Sequence, residues 1–217
     1  ARPGSLLERA ALMSDHHDTA TRRGDDLAAI LYTSGTTGRS KGAMLTHGNI
    51  LSNAQTLKDY WGWKAGDVLI HALPLFHVHG LVLGVLGPLH LGCALRHTGR
   101  PTPAGYAAAV AAGGTMLFGV PTVWSRICAE PAAARALRRA RLLVSGSAAL
   151  PVPVFDRLTA LTGHRPVERY GMTETLITLS ARADGDRRPG QVGLPLAGVR
   201  TGLVAEDGTP VPADGGS

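Results

Sequence analysis

The feature that most constrains the fold of this chain is an alternation. Apolar runs of strand length at 27–33, 67–73, 93–97, 115–119, 141–145 and 166–169 are separated by segments of helical length at 46–61, 79–91, 103–112, 121–130 and 151–162. Strands that alternate with helices in this way predict an α/β fold, a mostly parallel sheet flanked by helices. From Val192 onward the pattern changes to short strands punctuated by Gly and Pro, with Glu206-Asp207-Gly208 as a hairpin turn. The expected organisation is therefore an α/β core over residues 25–191 and the start of a small β-rich subdomain over 192–217. Residues 1–24 are polar and rich in Arg, Asp and His, and read as a linker with a frayed helix.

The first apolar run leads into Tyr32-Thr33-Ser34-Gly35-Thr36-Thr37-Gly38-Arg39-Ser40-Lys41-Gly42. The glycines let the backbone turn through positive φ and bring N–H groups close to an anion, while the hydroxyls and the Lys41 ammonium add donors. Polyphosphate is the ligand such a loop suits. Leu27-Ala28-Ala29-Ile30-Leu31-Tyr32 before it reads as a buried strand and Thr46–Tyr60 after it as a helix, so the loop is expected at a strand-to-helix turn. It is not a Walker A loop: Lys41 follows Gly38 by three and is itself followed by Gly42, which weighs against a kinase or GTPase.

A second segment, Glu168-Arg169-Tyr170-Gly171-Met172-Thr173-Glu174-Thr175, puts a carboxylate between two threonines after an aromatic and a glycine. Together the two runs resemble the AMP-binding, adenylate-forming superfamily, and Leu73-Pro74-Leu75-Phe76-His77-Val78-His79-Gly80 and Ser145-Gly146-Ser147-Ala148-Ala149-Leu150-Pro151 extend the resemblance over about residues 25 to 210. The resemblance implies that Thr33, Ser34, Gly35, Thr36, Thr37, Gly38 and Lys41 clasp the phosphates of ATP. It places Tyr170 against adenine, Thr173 on phosphate and Glu174 on Mg²⁺, with Gly146, Ser147, Ala148, Arg169 and Gly171 completing the nucleotide site. A carboxylate suits Mg²⁺, which takes hard oxygen and usually keeps few protein ligands. His77 is expected at the entrance of the acyl site, and Thr173, Glu174, Lys41 and His77 form the expected catalytic set. His79 stands evenly between a supporting role and packing.

Within the superfamily the chain is most similar to malonyl-CoA and methylmalonyl-CoA synthetases, on His77–Leu81, Phe118–Thr122 and Ser145–Pro151 leading to Glu168–Tyr170. There, Arg126 corresponds to a basic group directed at the substrate's distal carboxylate. A guanidinium pairs with carboxylate through a planar fork, Ser147 can add a hydroxyl, and a fatty-acyl pocket would instead want an apolar floor. Met172 and Val78 are the expected wall residues. The implied reaction is activation of a small dicarboxylic acid by ATP to an acyl-adenylate, followed by transfer to CoA. Other acid–CoA ligases or amino-acid adenylation domains of the superfamily, and a nucleotide-binding remnant without turnover, are the alternatives.

The remaining signals exclude more than they assign. The 217 residues, 44% of them hydrophobic, suffice for one sizeable core. Cys93 and Cys128 have no metal-ligand spacing and read as buried thiols in a reducing compartment. With no long apolar run and no signal-like start, the expected location is the cytoplasm, without a membrane partner. Net charge is +6, and Arg135, Arg138, Arg139 and Arg141 cluster, but no aromatics are interleaved with them. They read as a solvated helix end rather than a nucleic-acid surface. Family members are more than twice this long, so the sequence is expected to be a middle portion, lacking the lid domain whose lysine the family uses.

Overall fold

The structure, a computed structural model, describes residues 4–33 and 39–211. Ser34, Gly35, Thr36, Thr37 and Gly38, the centre of the expected phosphate loop, lie outside the described residues. The chain begins with α1 (Leu6–Ala11), a short helix with no buried residue. β1 (Leu27–Thr33) and β2 (Lys41–Thr46) then pair antiparallel as a two-stranded sheet of their own. The expected strand-to-helix turn is thus corrected to a hairpin: the chain reverses and runs back along β1 before any helix starts. Nor is β1 a buried strand. Ile30 and Tyr32 are exposed because nothing among the described residues covers that face of the hairpin.

α2 (His47–Tyr60) starts immediately after β2, because Thr46 and Asn49 form a reciprocal capping box that satisfies N–H groups at the helix start. β3 (Val68–His71) follows, then a π-helical segment (His79–Leu86) continuing into α3 (Gly87–Leu91), where one plain helix was expected. The chain proceeds through β4 (Ala94–His97), α4 (Pro103–Ala111), β5 (Met116–Gly119), α5 (Pro121–Ala129), α6 (Pro131–Ala136), a single 3₁₀ turn, β6 (Leu142–Ser145) and α7 (Val152–Thr162). α4 opens on a Thr102 cap with Pro103 in its first turn, and α7 ends at Gly163 in the left-handed conformation, both favoured helix boundaries. β7 (Val167–Met172), β8 (Leu176–Ser180) and β9 (Leu194–Pro195) complete the sheet. β10 (Leu203–Val204) and β11 (Pro210–Val211) form a small hairpin around Glu206-Asp207-Gly208.

The central sheet has seven strands in the order β4-β3-β5-β6-β7-β8-β9, parallel from β4 to β7 and antiparallel from β7 to β9. Alternate residues of its inner strands feed two separate cores. Leu69, Met116, Phe118, Leu142 and Val144 pack with α2, Trp61 and Trp63, whereas Ile70, Leu117 and Leu143 pack with α4, α5 and α7. Both faces being apolar explains why these strands read as continuous hydrophobic runs.

The N-terminal ends of β3, β5 and β6 are tied by one ion pair. Arg141 donates from Nε to Asp67 Oδ1 at 2.7 Å and from Nη1 to the Trp61 carbonyl at 3.0 Å, and Thr115 adds a hydroxyl at 2.8 Å. Burial pushes the Asp67 carboxyl up, but these donors outweigh it and hold the pKa below the usual range. Arg141 therefore does not belong to the solvated basic cluster; Arg135, Arg138 and Arg139 remain exposed. Cys93 and Cys128 are free and half-buried. Among the described residues no helix is long and apolar enough to cross a membrane.

Candidate functional site

Because β3, β5, β6 and β7 are parallel, their C-terminal ends emerge on one edge of the sheet, where loops can converge on a ligand. They enclose a cavity of about 510 Å³. The loop after β3 contributes Leu73, Pro74, His77, Val78 and His79; Val120 follows β5, Ser147 follows β6, and Arg169, Gly171, Met172 and Thr173 come from β7 and its exit. The structure thus gathers His77, Ser147, Arg169, Gly171, Met172 and Thr173 from stretches far apart in sequence. Gly80 makes the first of these loops lie flush, since a Cβ there would run into the Pro74 carbonyl.

The two histidines differ. His77 is exposed at the rim, its ring 4.6 Å from that of Phe76. His79 is buried, with Nδ1 3.5 Å from the Ser147 hydroxyl and its ring 5.3 Å from Phe118. Burial first, then the positive Arg169 and the nearby His71, hold its pKa well below the ordinary histidine value. His79 is therefore neutral at physiological pH. Ser147 itself sits at φ 71°, left-handed backbone that a non-glycine residue adopts at some cost, and such strain concentrates at binding sites.

Arg169 is the dominant charge of the cavity. It is only 6% exposed, and neither Nε nor Nη2 has a hydrogen-bond partner among the described residues. Burial lowers its pKa to about 10, which leaves it cationic at neutral pH. A buried, unpaired charge costs several kcal/mol, and an anion in the cavity would offset that cost. Gly146 makes room for it, as a Cβ at that position would strike the Arg169 guanidinium. Strand alternation sends the neighbouring Glu168 to the opposite face, where its carboxylate accepts from the Leu150 N–H at 3.3 Å and is pushed up in pKa by burial. That bond holds the far end of the Ser147–Leu150 turn, on whose exposed stretch Ala148 lies.

A second cluster forms beside the cavity. The Thr33 hydroxyl, at the end of β1, donates to Glu174 Oε1 at 3.3 Å across a separation of 141 residues. Lys41 faces Thr33 in the hairpin register and is exposed, so the flanks of the expected phosphate loop do meet the expected metal carboxylate. Tyr170 is 48% exposed, on β7. Among the described residues no group of three or more His, Cys, Asp or Glu could cage a metal. The donor set of Glu174 and Thr33 fits a cation that takes most of its oxygens from phosphate and water, as Mg²⁺ does.

Arg126 is not brought to the cavity wall. It is exposed on α5, six residues beyond Val120. Arg169 lines the cavity instead, an arginine set in an otherwise buried stretch of β7. A further cavity of about 370 Å³ between Tyr60 and Arg182 contains none of the expected site residues.

The fold is thus α/β, with a cavity holding a buried guanidinium at the ends of the parallel strands and the Thr33–Glu174 contact beside it. The chain belongs to the AMP-binding enzyme family, whose model matches residues 3–216. It is 40% identical over 205 residues to the mitochondrial malonate–CoA ligase of Xenopus laevis, covering 83% of this chain and 34% of that protein. MatB of Rhodopseudomonas palustris with ATP bound superimposes with a TM-score of 0.88 at 44% identity, covering 97% of this chain and 42% of the other. A malonyl-CoA ligase product complex holding methylmalonyl-CoA and AMP gives a TM-score of 0.80 at 52% identity, over 82% of this chain and 40% of that one. The chain spans about a third of the length of the curated relatives it matches.

Proposed function

We propose that this chain forms the nucleotide- and acid-binding core of an AMP-forming acyl-CoA ligase that activates malonate or methylmalonate, with ATP and Mg²⁺ for the first step and CoA as acceptor in the second. The observation that carries the reading is Arg169, a buried guanidinium with nitrogens unpartnered among the described residues, lining the cavity at the strand ends. A dicarboxylate places one carboxylate at the reacting centre and has a second to offer such a group; a monocarboxylate leaves it unpaired. Malonate–CoA ligase relatives and a neighbour holding methylmalonyl-CoA and AMP support the same substrate class.

In the first step an oxygen of the acid's proximal carboxylate attacks the α-phosphorus of ATP and pyrophosphate leaves. In the second the CoA sulfur attacks the acyl carbon and AMP leaves. Arg169 and the Ser147 hydroxyl hold the distal carboxylate, while Met172 and Val78 form the apolar wall. Neutral His79 backs Ser147 without adding charge. Tyr170, Gly146, Ala148 and Gly171 border the adenine, and Thr173, Thr33 and Lys41 donate toward phosphate, a role in which dry, fixed donors are worth most. Mg²⁺, when bound, neutralises developing phosphate charge, and Glu174 with Thr33 would hold it. His77 lines the rim, and Arg126 remains a solvent-screened cation on α5.

The test is pyrophosphate release by the full-length protein with malonate, methylmalonate and butyrate. Arg169→Leu is expected to lower malonate kcat/KM by roughly 30-fold to several thousand-fold, the cost of stranding a buried charge, with butyrate affected far less. Equal losses on malonate and butyrate would remove the dicarboxylate reading.

A further inference from the structure

α2 carries a buried apolar stripe of Ile50, Ala54 and Leu57, and Asn53 sits beside it, half-buried, with a side chain that no helix contact requires. Its Nδ2 donates to the Ile177 carbonyl at 2.8 Å, and its Oδ1 accepts from the Ile177 N–H at 3.4 Å. This is the pair of bonds a neighbouring strand would make. Among the described residues β9 pairs with β8 at Leu179 and Ser180, and Leu196 reaches Thr178, so at Ile177 no described strand lies along the outer edge of β8. The Asn53 amide takes that place and satisfies a buried edge. Next to the clamp, Leu176 is held at φ 56°, and the turn entering it carries Thr173, Glu174 and Thr175. The same helix is joined at its N-terminus, one to two turns before Asn53, to β2 through the Thr46–Asn49 capping box, and β2 pairs with β1, which presents Thr33.

One rigid element therefore holds both halves of the Thr33–Glu174 contact. We propose that Asn53 is a positioning residue for the phosphate and metal end of the site: by clamping Ile177 it fixes the Glu174 turn at its working distance from Thr33. The inference rests on the ligase reading, with Glu174 as the Mg²⁺ ligand, and assigns the residue that aims it. Asn53→Leu removes both bonds at similar volume. Thr56→Val is the control, since Thr56 lies one turn along and its hydroxyl bonds only the Ser52 carbonyl of the same helix.

Two readouts decide it in the full-length protein: Mg²⁺ titration of fluorescent ATP-analogue binding, and amide hydrogen exchange at 175–177. Asn53→Leu is expected to need about 10- to 100-fold more Mg²⁺ for half-maximal binding, the usual consequence of losing a group that orients a metal ligand. Exchange at 175–177 should rise, malonate affinity should hold within about two-fold, and Thr56→Val should match wild type. If the leucine blocks folding, Asn53→Ala removes the same bonds without filling the space. A Mg²⁺ response within about two-fold of wild type, or equal losses in Mg²⁺ and malonate affinity, overturns the positioning role. A wild-type protein that binds the analogue without any Mg²⁺ response sinks the ligase reading instead, and this inference with it.

Discussion

The cavity at the sheet edge and the β1–β2 hairpin hold their cations in opposite surroundings. In the cavity a single guanidinium is 6% exposed, beside a neutral histidine and a strained serine. In the hairpin, Lys41 is exposed and lies opposite Thr33 in the strand register. A charge in a dry wall is strong because nothing screens it, whereas one in water is weak and replaceable. On the ligase reading proposed above, selectivity for the acid would be concentrated in one side chain and the grip on phosphate distributed.

Mutations rank accordingly. Glu174→Gln, where the two regions touch, should do the most damage, because it removes charge at nearly constant volume from the only carboxylate placed against Thr33 among the described residues. Adenylate formation, followed by pyrophosphate release, is expected to fall on the order of 10³-fold while the thermal transition stays in place. Near-normal turnover would show that the contact is structural. Lys41→Ala should cost about ten-fold in kcat/KM for ATP, since neighbouring donors remain. A loss as large as that at Glu174 would break the contrast between concentrated and distributed recognition. Arg126→Ala should matter least, no more than about five-fold on malonate, because exposed ion pairs are worth only ~0–1 kcal/mol. A deficit matching that of Arg169→Leu would mean that α5 moves to bring Arg126 into the cavity when substrate binds, and would restore it as the principal carboxylate partner.

The local signals were legible in the sequence. Continuous apolar runs such as Met116–Gly119 and Leu142–Ser145 gave two-sided strands because both faces really are buried. The helices between them were marked by caps and breakers such as Thr46, Thr102 and Gly163, and the Glu168–Thr175 segment helped carry the likeness to the family that the chain belongs to. Three things depended on the folded chain. Whether Lys41–Thr46 continues toward a helix or reverses along β1 turns on cross-strand pairing, which leaves little trace in a stretch this short. Which arginine is buried was decided by the strand register that points Arg169 into the cavity and by the helix phase that leaves Arg126 in water. Arg141 likewise passed for one of a basic cluster until Asp67, 74 residues away, faced it. Asn53 was silent for the same reason: a side chain that closes the edge of a strand 124 residues distant has no local pattern, because its partner is set by tertiary packing alone.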